Sequence, residues 1–232
     1  MDLSTTFMGF VLPHPLLPGA SPLCDDLDGV RRLEDAGAAA IVLRSLFEEQ
    51  VLDAQARAVE ERPSVAADGS PLPAFVLGPD EYLEHVHRIK RAVEVPVIAS
   101  LSGTHPGWWL TYARLLEAAG ADAVELNLYD VVADGRVSAE AVERETVEVV
   151  RCVRSTVSLP VAVKLSPYYS SLAHLARRLD GAGAAALVLF NRFYQADIDV
   201  DSLEVVRRIE LSSPAELLLR LRWVALLSGD VE

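Results

Sequence analysis

Three stretches of this chain are variants of one another. Arg32–Ser45 reads RLEDAGAAAIVLRS, Leu115–Leu128 reads LLEAAGADAVELNL, and Arg178–Asn191 reads RLDGAGAAALVLFN. Each carries the end of a helical pattern, passes through Ala-Gly (Gly37, Gly120, Gly183) and enters a short apolar run. Glycine just past a helix end supplies the left-handed residue that closes it. A short apolar run bounded by turn residues is the pattern of a buried strand. A second layout alternates with the first: VEVPVIASLSG (Val93–Gly103) and SLPVAVKLSP (Ser158–Pro167). There a proline opens the strand, where no ladder donor is required. Strands alternating with helices predict a parallel sheet with crossover helices.

Outward from these repeats, Leu3–Pro13 reads as a small antiparallel hairpin and Pro15–Ser21 as the first barrel-type strand. Further strands are expected at Ala39–Arg44, Val97–Leu101, Ala123–Asn127, Ala162–Leu165 and Ala186–Asn191. Helices are expected at Asp28–Ala36, Pro79–Val93, Gly107–Ala119, Ser138–Val157, Ser170–Ala182 and Ser212–Gly229, with a long irregular insertion over Phe47–Leu77. Ser138 and Ser213 are the expected N-caps of their helices, and Pro214 sits at a favoured first position. That makes about six β-α units, against eight in a closed barrel of about 250 residues. The expectation is one α/β domain over residues 1–232 of (β/α)8 TIM-barrel type, incomplete, with a short N-terminal hairpin. An open doubly wound sheet is the alternative; the short repetitive units and the lack of a Gly-rich first turn favour the barrel. The sequence stops after the sixth helix, which suggests C-terminal truncation. Two strand edges would then be open, inviting a homo-oligomer.

A net charge of −13 argues against nucleic-acid or anionic-membrane partners, which need basic faces. The N-terminal MDLSTTFMGF has no basic start followed by an apolar core, so a cytoplasmic location is expected. No run approaches the roughly 18 apolar residues of a spanning helix. Cys24 and Cys152 form no metal or redox motif and read as reduced thiols. The histidines lack metal-ligand spacing.

Active sites of such folds lie at the C-terminal ends of the strands. The polar residues expected there are Ser21, Arg44, Ser45, Ser100, Ser102, Asn127, Tyr129, Asp130, Lys164, Ser166, Asn191 and Arg192. The chain has two asparagines and two lysines. Both asparagines fall at strand ends. Lys90 lies in a polar helix and reads as solvated, whereas Lys164 interrupts the apolar run PVAVKLSP. A charge there is costly unless paired; Glu125 on the neighbouring strand is the candidate structural partner, and a ligand at the barrel mouth is the functional one. Arg44 could pair with Glu48 or Glu49. Those two acids read as a solvated helix start. His105, in SGTHPGWW, is the one histidine expected at the active face. Trp108 and Trp109 read as packing residues.

Taken in order and spacing, GFVLPHPLLPGAS, IASLSG, VELNLYD, VAVKLSP and LVLFNRFYQ resemble the cytoplasmic class of dihydroorotate dehydrogenases. SLFEEQ and LGPDEYLEH narrow the resemblance to a dihydroorotate dehydrogenase-like branch. It implies a (β/α)8 barrel holding FMN across its mouth and a small-molecule substrate of pyrimidine biosynthesis. It also implies flavin contacts from Ala20, Ser21, Arg44, Ser45, Ser100 and Asn127. Lys164 would meet the flavin N1/O2 edge, and Asn191 would border the substrate. Departures accompany it. Asp130 stands where the family's catalytic cysteine is, within LYDV in place of S-C-P-N. FVLGPD (Phe75–Asp80) replaces an asparagine-rich loop, and Arg44 replaces a lysine. Dihydroorotate itself is therefore a doubtful substrate, because an aspartate is a weak base for a carbon acid unless burial raises it. The glycine turns that hold the flavin phosphate in the family follow strands beyond the end of this sequence. Two other readings stand beside this one: a barrel lyase or aldolase forming a Schiff base through Lys164, and a truncated, non-catalytic remnant.

Overall fold

The computed structural model describes residues 1–52, 77–128, 132–192, 196–207 and 212–231. A hairpin of β1 (Thr5–Phe7) and β2 (Phe10–Leu12) comes first, antiparallel as expected. Its turn places Met8 and Gly9 at positive φ, as a tight two-residue hairpin requires. Five parallel strands follow: β3 (Ile41–Phe47), β4 (Val97–Ser102), β5 (Ala123–Asn127), β6 (Val161–Leu165) and β7 (Ala186–Leu189). They lie side by side in chain order. The connecting helices are α1 (Leu27–Asp35), α2 (Pro79–Lys90), α3 (Pro106–Ala119), α4 (Ala139–Arg154) and α5 (Leu172–Gly181), and α6 (Leu217–Leu227) comes last. Each helix of this series packs on the next.

That order decides between the two architectures. A doubly wound sheet reverses its strand order and carries helices on both faces. Here the order never reverses and the helices form one continuous layer, as in a barrel wall. The repeats behave as read: Gly37, Gly120 and Gly183 all take left-handed φ just after a helix. Ser138 caps α4 by accepting from the Ala141 N–H at 3.2 Å.

Strand side chains alternate between faces, which divides the core in two. Ile41, Leu43, Val97, Leu101, Val124, Leu126, Val161, Val163 and Leu165 face the helices in one large cluster. Val42, Ile98, Ala123 and Ala162 lie on the other face, against Met8 and Leu12 of the hairpin. The hairpin thus covers the N-terminal end of the inner face.

Several expectations are corrected. Pro15–Ser21 is not a strand. It runs beside β3, with Leu16 and Pro18 carbonyls accepting from Ala39 and Val42 N–H groups, but Pro15 and Pro18 have no N–H to return. Lys90 is not solvated: its Nζ lies 2.6 Å from Asp122 Oδ2, and the same oxygen accepts from the Val97 N–H at 2.7 Å. The last helix opens with a 3-10 turn at Pro214–Glu216 and becomes α-helical only at Leu217. A second hairpin, β8 (Ala196–Ile198) with β9 (Val205–Arg207), was not anticipated. Most of the Phe47–Leu77 insertion lies outside the described residues.

Candidate active site

On the inner face each central strand runs from apolar to polar. Strand β4 presents Ile98, then Ser100, then Ser102; β5 presents Ala123, Glu125, Asn127; β6 presents Ala162 and Lys164. Parallel register aligns Ser102, Asn127 and Lys164 in one row, and paired residues of neighbouring strands point to the same face. The polar row lies at the C-terminal ends of the strands.

Ser45 Oγ and Ser100 Oγ are 2.7 Å apart, and Ser100 Oγ donates to Glu125 Oε1 at 3.4 Å. Lys164 Nζ stands 3.7 Å from the same Glu125 oxygen, with side chains 17% and 4% exposed respectively. At that distance the two form an ion pair rather than a hydrogen bond, so the ammonium donors are not spent on Glu125. Burial pushes the Glu125 carboxyl above its ordinary range, while Lys164 and the Ser100 hydroxyl pull it back in part. The two asparagines meet: Asn191 Nδ2 donates to Asn127 Oδ1 at 2.7 Å. Ser102 Oγ reaches the Asn127 carbonyl at 3.5 Å. Ser166, two residues after Lys164, is buried, its Oγ accepting from the Tyr168 N–H.

Arg44 stands apart from this row. Pairing runs Val42 with Ile98 but Ser45 with Ser100, so β3 carries one extra residue. This bulge turns Ser45 rather than Arg44 onto the inner face. Arg44 is exposed and its Nη1 pairs with Asp25 at 2.7 Å, not with Glu48 or Glu49. Its carbonyl, freed by the bulge, accepts from the buried Tyr82 hydroxyl at 2.7 Å. Burial raises the Tyr82 phenol far above its ordinary value. Ala20 packs on the inner-face cluster, and Ser21 is the N-cap of a 3-10 turn at Pro22–Cys24. Tyr129 and Asp130 lie outside the described residues.

Glu48 overturns the expectation of a solvated acid. It is buried, and its Oε2 accepts from the N–H groups of Thr104 and His105 at 2.7 and 3.1 Å. Its Oε1 lies 2.6 Å from His105 Nδ1. Burial alone would raise this carboxyl, but the donors from Thr104 and His105 together lower it. Sequence reading placed His105 at the active face but missed its partner, which no local spacing links to it. Trp108 and Trp109 are buried, as packing residues should be. Cys24 and Cys152 are unpaired, and burial pushes the Cys24 thiol up to about 11. No helix among the described residues is long and apolar enough to cross a membrane.

Fold and site together define an α/β protein with a sequentially ordered parallel sheet and a polar strand-end site built around one lysine, two amides and a buried carboxylate. Comparison with known proteins makes this more specific. No family model matches the chain. The catalytic subunit of dihydroorotate dehydrogenase B (NAD(+)) of Thermoplasma acidophilum is 31% identical over 204 residues, 86% of this chain and 65% of that protein. The corresponding subunit of Desulforamulus reducens is 36% identical over 125 residues, 53% of this chain and 41% of its own length. A putative dihydroorotate dehydrogenase A (fumarate) of Aeropyrum pernix is 40% identical over 107 residues, 46% of this chain and 35% of that protein. The chain is thus similar to proteins named as dihydroorotate dehydrogenases, and it spans between about a third and two thirds of the length of these three. Among solved structures, a dihydrodipicolinate synthase from Agrobacterium tumefaciens aligns with a TM-score of 0.45 at 16% identity, covering 75% of this chain and 51% of that one.

Proposed function

We propose that this chain carries the ring-binding part of an FMN-dependent oxidoreductase of the dihydroorotate dehydrogenase kind, acting in the cytoplasm on a small molecule. The observation that carries the reading is Lys164. A partly exposed ammonium stands at the C-terminal end of β6, in register with Asn127, which is itself held by Asn191. The donor set suits the edge of a flavin ring, which is polar and gains negative charge on reduction. Ser45 and Ser100 are small enough to leave room beside it. The described residues supply no counterpart to a phosphate-holding glycine turn, so they fit the ring end of such a cofactor and not its phosphate.

When bound, the flavin supplies the hydride acceptor. The chain's own residues would hold it: Lys164 would offer a preorganised cation to the ring edge that gains negative charge. Asn127 and Asn191 fix one another's amides. With Asn191 donating to Asn127 Oδ1, the Asn127 Nδ2 donors and Asn191 Oδ1 remain for a ligand. Asp130, at the position of the family's cysteine, is the proposed proton acceptor from substrate. The aspartate in that place speaks against dihydroorotate itself as the substrate.

Titration of the purified chain with FMN, followed by absorbance and fluorescence quenching, tests this. Saturable binding is expected, and Lys164→Ala should weaken it about 10- to 100-fold, the value of one charge-assisted hydrogen bond. No binding at all by the wild-type chain would sink the reading. Borohydride trapping of a carbonyl compound on Lys164 would instead favour the Schiff-base reading.

A further inference from the structure

We infer that Glu48 and His105 form a proton-transfer pair at the mouth of the sheet, with the Nε2 atom of His105 as the working acceptor. The inference extends the reading above by assigning a second proton-handling group on the far side of β4 from Lys164.

Glu48 has two separate tasks, and only one is structural. Oε2 accepts from the Thr104 and His105 N–H groups and from the Thr104 hydroxyl. His105 is the N-cap of α3, and its own side chain makes no cap hydrogen bond. Oε2 therefore serves the free donors that precede the helix. This accounts for one oxygen. The other, Oε1, is spent on His105 Nδ1 at 2.6 Å. The imidazole it holds is 74% exposed at the side chain, whereas Glu48 is 6% exposed. An exposed ring held at one nitrogen by a buried carboxylate has its tautomer set: Nδ1 carries the hydrogen and Nε2 keeps its lone pair. The same arrangement orients the base in hydrolytic triads.

The loop is built for this approach. A Cβ on Gly103 would stand 2.9 Å from Trp108 Cε3 and 3.0 Å from both Glu48 Cβ and Oε2. Only glycine lets the chain pass this close to the carboxylate. Gly103 follows Ser102 directly, so His105 leaves the sheet at the same end as Asn127 and Lys164. Among the described residues, Glu48 and Thr104 are the side chains within hydrogen-bond or ion-pair reach of His105. In the transfer, an acidic X–H bond of the bound molecule breaks. Its electron pair stays on X and its proton passes to Nε2. The imidazolium is stabilised by the Glu48 carboxylate until the exposed ring releases the proton to water.

Nitrogen-15 NMR of the histidine rings at mildly alkaline pH tests the pair, with His105→Gln to assign the signal. The expected result is an Nδ1–H tautomer for His105 and reversion toward the Nε2–H form in Glu48→Gln. Diethyl pyrocarbonate, mapped by mass spectrometry, should modify His105 several-fold faster than the exposed His87 and His174. An Nε2–H tautomer in the wild-type chain, or reactivity no greater than that of His87, would overturn the proposal. The wild-type measurements decide it even if Glu48→Gln fails to fold. Neither measurement involves flavin, so failure here is distinct from failure to bind FMN.

Discussion

Glu125 shows how a single residue can be placed against its own charge. It sits within a strand buried along its whole length, with Lys164 near but not hydrogen-bonded. Burial raises its carboxyl above the ordinary 4.5, and Lys164 and Ser100 only partly offset this. The unfolded chain therefore ionises at lower pH than the folded one. The stability this group contributes is full below about pH 4.5 and is lost as pH rises toward its folded value. Replacing it with Gln removes that loss. The difference in melting temperature, Glu125→Gln minus wild type, should move in the variant's favour between pH 4 and pH 7, by a few degrees for a chain of this size. A difference independent of pH would show that Glu125 is not perturbed.

At the scale of elements, the decisive irregularity is the bulge in β3. Strict alternation along Ile41–Phe47 would put Val42, Arg44 and Leu46 on one face, yet Ser45 is the residue that meets Ser100. Tyr82 of α2 secures this by taking up the Arg44 carbonyl that the ladder gives away, and its oxygen also lies 3.3 Å from the Ser100 N–H. Tyr82→Phe should cost about 1–3 kcal/mol in denaturant unfolding, the price of leaving a buried acceptor unpaired. Loss of the Ser45–Ser100 geometry would follow, seen as weaker flavin binding. The three Ala-Gly helix ends were readable because the left-handed requirement is local. The bulge was not, because its partner lies 38 residues away.

For the whole molecule, the exposed apolar surface gathers at the C-terminal end. Leu217, Leu218, Leu221, Val224 and Leu226 of α6 are all exposed. Strand β7 is only half-buried along its length and, among the described residues, pairs with β6 alone. Contiguous apolar surface of this kind drives association. The 232-residue chain should self-associate at micromolar concentration in sedimentation velocity, and Leu218→Glu with Leu221→Glu should shift it toward monomer. A wild-type chain that stays monomeric at high concentration would contradict this.

The sequence alone determined what depends on near neighbours. Helix ends closed by Gly37, Gly120 and Gly183, a parallel alternation of strand and helix, the N-terminal hairpin and the row of polar strand ends are all set within a few residues. Glu125 as a candidate partner of Lys164 was legible as well, because a charge in an apolar strand needs a counter-charge on a neighbouring one. Tertiary structure decided the rest. It turned Arg44 out and Ser45 in, brought Asn191 to Asn127 across 64 residues, and buried Glu48 under His105 across 57. Those pairings follow from strand order, register and one inserted residue. They are properties of the assembled sheet, and no local propensity encodes them.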